Sequence, residues 1–124
     1  MTVAQVTITK SDQIGTKWHI SEDYDSQSSD YYEFSNKAVI WHRGDGTTFY
    51  YPFYLSTTIP TKFDFTKVGV NNKGCYYIEY SPKIDYFYCY AIMTFDKSKR
   101  KMIHKLMNQD VIGLSDTVTY TLKK

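Results

Sequence analysis

The chain has 124 residues, 23% of them charged, and a formal net charge of +2, which suits one domain and excludes a strong electrostatic case for a nucleic-acid or membrane-surface partner. No apolar run approaches the roughly eighteen residues a membrane-spanning helix needs. Aromatic residues mark the composition instead, 18% with thirteen tyrosines against three alanines, and tyrosine suits a pleated, half-buried surface, so the expectation is an all-β domain.

In chain order, Val6 and Ile8 alternate with threonines as a short opening strand. Met1 precedes Thr-Val-Ala-Gln, and the small Ala4 before Gln5 has the form of a stub left by a removed export signal; an exported protein is the expectation, with a natural cytosolic start as the other reading. Residues 11–14 read as a single helical turn capped by Ser11. After Gly15, Trp18 and Ile20 share one strand face and Lys17 and His19 the other. Residues 22–30 form a polar, acidic loop (Glu22, Asp23, Asp25, Asp30) without the glycine and alternating ligands of a calcium loop. Tyr32 and Phe34 then share a face of the next strand.

Residues 37–55, "KAVIWHRGDGTTFYYPFYL", carry the best hairpin signal, with Asp45-Gly46 as the chemistry of a two-residue turn. Pro52 belongs at an edge, a bulge or a non-bonded position. In "KFDF", Phe63 and Phe65 fall on one face with Asp64 opposite, and "GVNNKG" at 69–74 is a turn cluster. "CYYIEY" and "YFYCYAIMTF" flank Ser81–Asp85 as a second hairpin. In its longer strand Phe87, Cys89, Ala91, Met93 and Phe95 share the face assigned inward, while Tyr86, Tyr88, Tyr90 and Ile92 share the other. For 97–109 the apolar spacing fits a helix (Met102, Ile103, Leu106, Met107) or a strand with Met102, His104 and Leu106 inward. The strand is preferred because it repeats the dimensions of its predecessor. "TVTYTL" closes the chain with Val118, Tyr120 and Leu122 inward. Eight or nine short strands joined by turns point to a meander barrel or a sandwich.

Chemical motifs are few. No Gly-x-Ser-x-Gly, phosphate loop or paired carboxylates are present, so the sequence points to no enzyme, catalytic residue or cofactor. His19, His42 and His104 sit on separate predicted strands without metal-ligand spacing. Cys75 and Cys89 oppose each other only if the intervening turn has the right length, and neither has an activating neighbour. Arg43-Gly44-Asp45 on a hairpin tip is what the turn itself requires. "KSKRK" at 97–101 is an inter-strand charge cluster and not a nucleic-acid platform.

"QIGTKWHI" at 13–20, followed by an antiparallel series with "FDFTKVG", "GCYYIEY" and "MIHKLM…DTVTYTL", resembles the lipocalin-like (calycin) β-barrel proteins, and most of all the small bacterial lipocalin-like domains of exported proteins. Gly15 and Trp18 have two residues between them where that family has one. The resemblance implies an antiparallel meander β-barrel of about eight strands over the whole chain, with Trp18 closing one end beneath a basic side chain, for which Arg100, Lys101 and Lys105 are candidates. It also implies a non-enzymatic protein whose partner is a small apolar or amphipathic ligand. The residues of inward parity, Tyr32, Phe34, Tyr51, Phe53, Phe87, Met93 and Tyr120, are its candidate ligand-binding set together with Trp18. A second reading is a solid barrel that recognises a protein or glycan through exposed Tyr86, Tyr88 and Tyr90. Oligomeric state is left unassigned.

Overall fold

The computed structural model describes residues 7–20, 30–96, 101–107 and 117–122, excluding the side chains of 20, 93–96 and 117. The described strands are β1 (Ile8–Thr9), β2 (Lys17–Ile20), β3 (Tyr31–Phe34), β4 (Ala38–His42), β5 (Thr48–Ser56), β6 (Lys73–Gly74), β7 (Tyr76–Ser81), β8 (Tyr86–Asp96), β9 (Lys101–Leu106) and β10 (Thr117–Leu122). Eight of them close a barrel in the order β2-β3-β4-β5-β7-β8-β9-β10, with β10 returning to β2. All eight junctions are antiparallel. The protein is therefore an all-β, up-and-down barrel, in which closure gives every strand two partners. β1 and β6 form a separate two-stranded ladder, Ile8 opposite Gly74.

Residues 101–106 are strand, with Met102, His104 and Leu106 buried and Lys101 and Lys105 exposed. This period-two pattern removes the helical alternative. The β4–β5 turn differs from the two-residue expectation. His42 pairs with Thr48, the Arg43 amide donates to the Thr47 carbonyl at 2.9 Å, and Gly46 has φ +92°. That is a three-residue loop with a left-handed glycine, and it sets Val39, Trp41, Tyr51 and Phe53 on the inner face. Pro52 sits where β5 passes from its ladder with β4 to its ladder with β7, so its missing amide is tolerated.

Three other expectations are corrected. The one-turn segment is a 3-10 turn at Lys10–Asp12, begun by Thr9 and not Ser11, with the Thr9 amide donating to Asp12 Oδ2 at 3.0 Å. "KFDF" is not a strand: Phe65–Lys67 is a 3-10 turn, and Asp64 Oδ1 accepts from the Thr66 amide at 3.0 Å. The inward and outward faces of β8 are exchanged. Tyr88, Tyr90 and Ile92 belong to the barrel core and Tyr86 packs against it, whereas Cys89 and Phe87 join Tyr54, Ile78, Phe63 and Val68 in a second cluster. Residues 57–72 cover this second cluster outside the barrel, through ring contacts of Phe63 with Tyr54 (5.0 Å) and Tyr80 (5.3 Å). Both faces of β8 are thus apolar and buried. Alternation separates two faces but does not say which one points in.

The 3-10 turn plugs one end of the barrel. Lys10 and Gln13 are fully buried there, Gln13 Nε2 donates to Met102 Sδ at 3.5 Å, and Lys10 Nζ lies 4.7 Å from the Phe53 ring centroid. Gly15 turns the chain into β2 with φ +85°, its amide donating to the Phe34 carbonyl at 2.8 Å. Trp18 is fully buried and donates through Nε1 to Thr16 Oγ1 at 2.8 Å. Lys101 and Lys105 are exposed and do not cover Trp18. Arg100 lies outside the described residues, as do Glu22, Asp23, Asp25, Ala4 and Lys97–Lys99.

Candidate ligand-binding site

The interior divides along the barrel axis. In its closed half, Trp18, Phe34, Phe53, Tyr77, Met102 and His104 are fully buried. Their rings interlock, with centroid separations of 5.2 Å (Phe53–Tyr77), 5.7 Å (Phe34–Phe53) and 4.6 Å (Tyr77–His104). Toward the other end, where the 43–47 and 82–85 loops lie, a pocket of about 290 Å³ opens. Tyr32, Trp41, Tyr51, Tyr88, Tyr90 and Tyr120 form its walls, with Val118, Ser81 and Glu79. Alternation accounts for this lining: each is the inward residue of its strand, supplied by β3, β4, β5, β7, β8 and β10.

Glu79 is the one carboxylate on this lining among the described residues. It lies on β7 two residues from Tyr77, whose hydroxyl donates to Glu79 Oε1 at 2.8 Å. Enclosure by aromatic walls raises its pKa from 4.5 to about 7, against the opposing pull of the Tyr77 hydrogen bond. Tyr51, Tyr77, Tyr88 and Tyr90 are all held above the usual phenol value, chiefly by burial and then by the neighbouring Glu79 carboxylate. They are neutral hydrogen-bonding phenols at any ordinary pH.

The rim is braced. Trp41 Nε1 donates to Asp30 Oδ2 at 3.0 Å, and the Gly44 amide donates to Asp30 Oδ1 at 2.7 Å, tying the β4–β5 turn to the start of β3. The Arg43 guanidinium stacks 5.4 Å from the Trp41 ring centroid, and Tyr32 stacks on Trp41 at 5.9 Å. Arg43 and Asp45, two members of the Arg-Gly-Asp triplet, are thereby engaged within the turn, Asp45 Oδ1 accepting from the Thr47 amide at 3.0 Å. Comparison with protein-family models, curated proteins and solved structures returns no match.

Of the eight candidate ligand-binding residues, Tyr32, Tyr51 and Tyr120 line the pocket. Phe34, Phe53 and Trp18 point inward but pack solidly in the closed half. Phe87 is a correction: it lies in the outer cluster, because β8 has the opposite parity. The side chain of Met93 lies outside the described residues, and its backbone falls at the register shift between Ile92 and Thr94. Tyr88 and Tyr90, assigned to an exposed recognition face, are 9% exposed and form pocket wall instead, while Tyr86 packs against the core. Two of the three tyrosines of the surface-recognition reading are therefore interior, and the third, Tyr86, is half-buried against the core. Glu79 was missed because "YYIEY" presents a lone glutamate at a position that reads as solvent-facing until the register of β7 is known.

The three histidines separate. His19 Nδ1 lies 2.9 Å from the Asp30 carbonyl, and His42 stacks on Tyr31 at 4.4 Å and pairs with Glu33 at 2.9 Å. His104 is fully buried among Tyr77, Tyr90 and Tyr120, and burial lowers its pKa to about 3. Neither of its ring nitrogens has a hydrogen-bond partner among the described residues. Cys75 and Cys89 are both thiols; the four-residue loop at 82–85 sets Cys89 opposite Ile78, three positions from Cys75.

Proposed function

We propose that this protein is a lipocalin-like binding protein, without catalysis of its own, that takes one small amphipathic molecule into the mouth of its barrel. The observation that carries this reading is the 290 Å³ aromatic pocket with one carboxylate on its wall, above a closed half that is solidly packed. Small-molecule sites are concave, mostly apolar and furnished with a few orienting polar groups, and occupy roughly 300–1,000 Å³. This pocket lies at the low end of that range, which suits a ligand built on one ring or two fused rings better than a long-chain lipid. The meander topology, the tryptophan at the closed end and the N-terminal 3-10 plug support the lipocalin-like comparison.

The test is tryptophan fluorescence titrated with a panel of apolar and amphipathic compounds, fatty acids and retinoids among them, with native mass spectrometry for stoichiometry. Trp41 lines the pocket and Trp18 is sealed at the opposite end. Saturable, one-to-one quenching that disappears in Trp41→Phe is the expected outcome. Quenching that survives that substitution, or the absence of binding across the panel, would refute a ligand in the mouth.

A further inference from the structure

We infer that the ligand of this pocket is an organic cation, an aromatic or quaternary amine whose charged nitrogen sits against Glu79 inside the ring of tyrosines. The inference rests on the binding function proposed above and names its ligand class. Three observations carry it. The pocket walls are largely aromatic, formed by Tyr32, Trp41, Tyr51, Tyr88, Tyr90 and Tyr120, with Tyr32 and Trp41 stacked at 5.9 Å and Tyr32 edge-on to Tyr120 at 6.1 Å. Aromatic faces present negative potential and attract ammonium groups, most strongly when water is excluded. The single ionisable acid on the lining is Glu79, and no lysine, arginine or histidine lines the pocket among the described residues. Arg43, stacked on Trp41, is exposed at the hairpin tip. An anionic ligand would meet the Glu79 carboxylate with no countercharge on the lining, a costly arrangement in a partly desolvated site. A neutral ligand would leave the ionised carboxylate partly desolvated, with the Tyr77 hydrogen bond but no countercharge on the lining. An ammonium satisfies the carboxylate and the rings at once.

The groups facing the carboxyl are Tyr77 on its own strand, Tyr51 from β5, Tyr88 and Tyr90 from β8, and Tyr32 and Tyr120 across the pocket. The phenols of Tyr51, Tyr77, Tyr88 and Tyr90 all have raised pKa values and stay uncharged. His104, in contact with Tyr77 and Tyr90, is also neutral. Glu79 is therefore the group whose charge changes near pH 7 in the pocket, and amine affinity falls by up to about tenfold per pH unit below that point as the carboxyl takes up its proton.

The experiment is calorimetric titration with three matched probes, 2-phenylethylamine, 2-phenylethanol and phenylacetate, at pH 8 and pH 5.5, on the full chain and on Glu79→Gln. The amine is expected to bind at least about tenfold more tightly than the alcohol at pH 8, since a charge-assisted bond and cation–π contact together exceed 1.4 kcal/mol. That preference is expected to shrink at pH 5.5 and to vanish in Glu79→Gln. The wild-type pH comparison decides the matter even if the variant does not fold. An amine bound no better than the alcohol, or a preference untouched by pH and by Glu79→Gln, overturns the cation while leaving a binding pocket. If none of the three probes binds but compounds of the broader panel do, the cation is again overturned alone. If nothing binds at all, the pocket reading falls with it.

Discussion

Two ionisable groups, the half-buried Glu79 and the fully buried His104, respond to pH in opposite directions. Glu79 ionises near 4.5 in the unfolded chain and near 7 in the native barrel, where desolvation is the leading cause. The native state therefore holds the proton more tightly. The contribution is full below pH 4.5 and is lost as pH rises through 7, amounting to at most about 3 kcal/mol at 1.36 kcal/mol per unit. Glu79→Gln, which keeps an acceptor for Tyr77, is expected to raise Tm over wild type by about 5–10 °C at pH 8.5 and to leave it unchanged at pH 4. Parallel pH profiles of the two proteins would show that the carboxyl is not held away from water. His104 runs the other way. Its native pKa near 3 lies below the ordinary 6.5, so its contribution is full above pH 6.5 and is lost as pH falls through 3, on the order of 4 kcal/mol. Both ring nitrogens are buried without partners among the described residues, a cost of about 1–3 kcal/mol each. His104→Leu is accordingly expected to be at least as stable as wild type at pH 7 and to resist acid unfolding, as urea titrations at pH 4 and pH 7 would reveal. Lys10 is a third such group, lowered to about 8 by burial and set over the Phe53 ring.

At the level of elements, the barrel depends on close approaches that only particular residues permit. Gly74 in β6 lies against β5 so closely that a Cβ would stand 1.9 Å from the Ser56 carbonyl oxygen. No rotamer relieves a clash with backbone, so Gly74→Ala forces β5 and β6 apart and is expected to cost at least about 2–3 kcal/mol. Denaturant unfolding checks this, and an unchanged midpoint would mean that β6 is not held against β5. Gly15 differs: a Cβ there meets nothing, but its φ of +85° is costly for other residues, and Gly15→Ala should lose about 1 kcal/mol. The outer cluster beneath residues 57–72 supplies another test. Burial, reinforced by the nearby Cys75, pushes the Cys89 thiol up to about 12. Native protein is expected to leave Cys89 unmodified by a thiol reagent at pH 8, with mass spectrometry finding label there only in denaturant. Rapid native labelling of Cys89 would mean that this cover opens readily.

For the whole molecule, the consequential feature is the asymmetry of the barrel, solid at the plugged end and hollow at the other. A molecule that binds the folded barrel and not the unfolded chain would, at a hundred times its Kd, stabilise the fold by about 2.7 kcal/mol by mass action. The expected readout is a Tm that climbs with ligand concentration in wild type and not in a variant that no longer binds. Much of the architecture was legible in the chain. Tyrosine and threonine enrichment with sparse alanine declared strands, and strict alternation in "TVTYTL", "YYEF" and "KWHI" assigned Val118, Tyr120, Leu122, Tyr32, Phe34 and Trp18 to the inner surface they occupy. Those segments were readable because one face is apolar or aromatic and the other carries polar or charged residues such as Lys17, His19, Glu33 and the threonines. β8 was misread because both of its faces are apolar and both are buried, one in the barrel and one beneath the 57–72 segment. Glu79 was not legible as a site residue for a related reason, since an isolated polar residue in a strand is ordinarily solvent-facing, whereas the inward position of His104 followed once 101–106 was read as strand. The chain by itself therefore determined the strand content, the turn-joined succession of strands and most inward parities, because these follow from local alternation and turn chemistry, whereas barrel against sandwich was decided by closure of the sheet. Only the closed tertiary structure decided the register of β7 and β8, which face of each points in, and hence that one carboxylate stands among tyrosines in the mouth. Those properties depend on which strands meet across the barrel, and no local pattern encodes that.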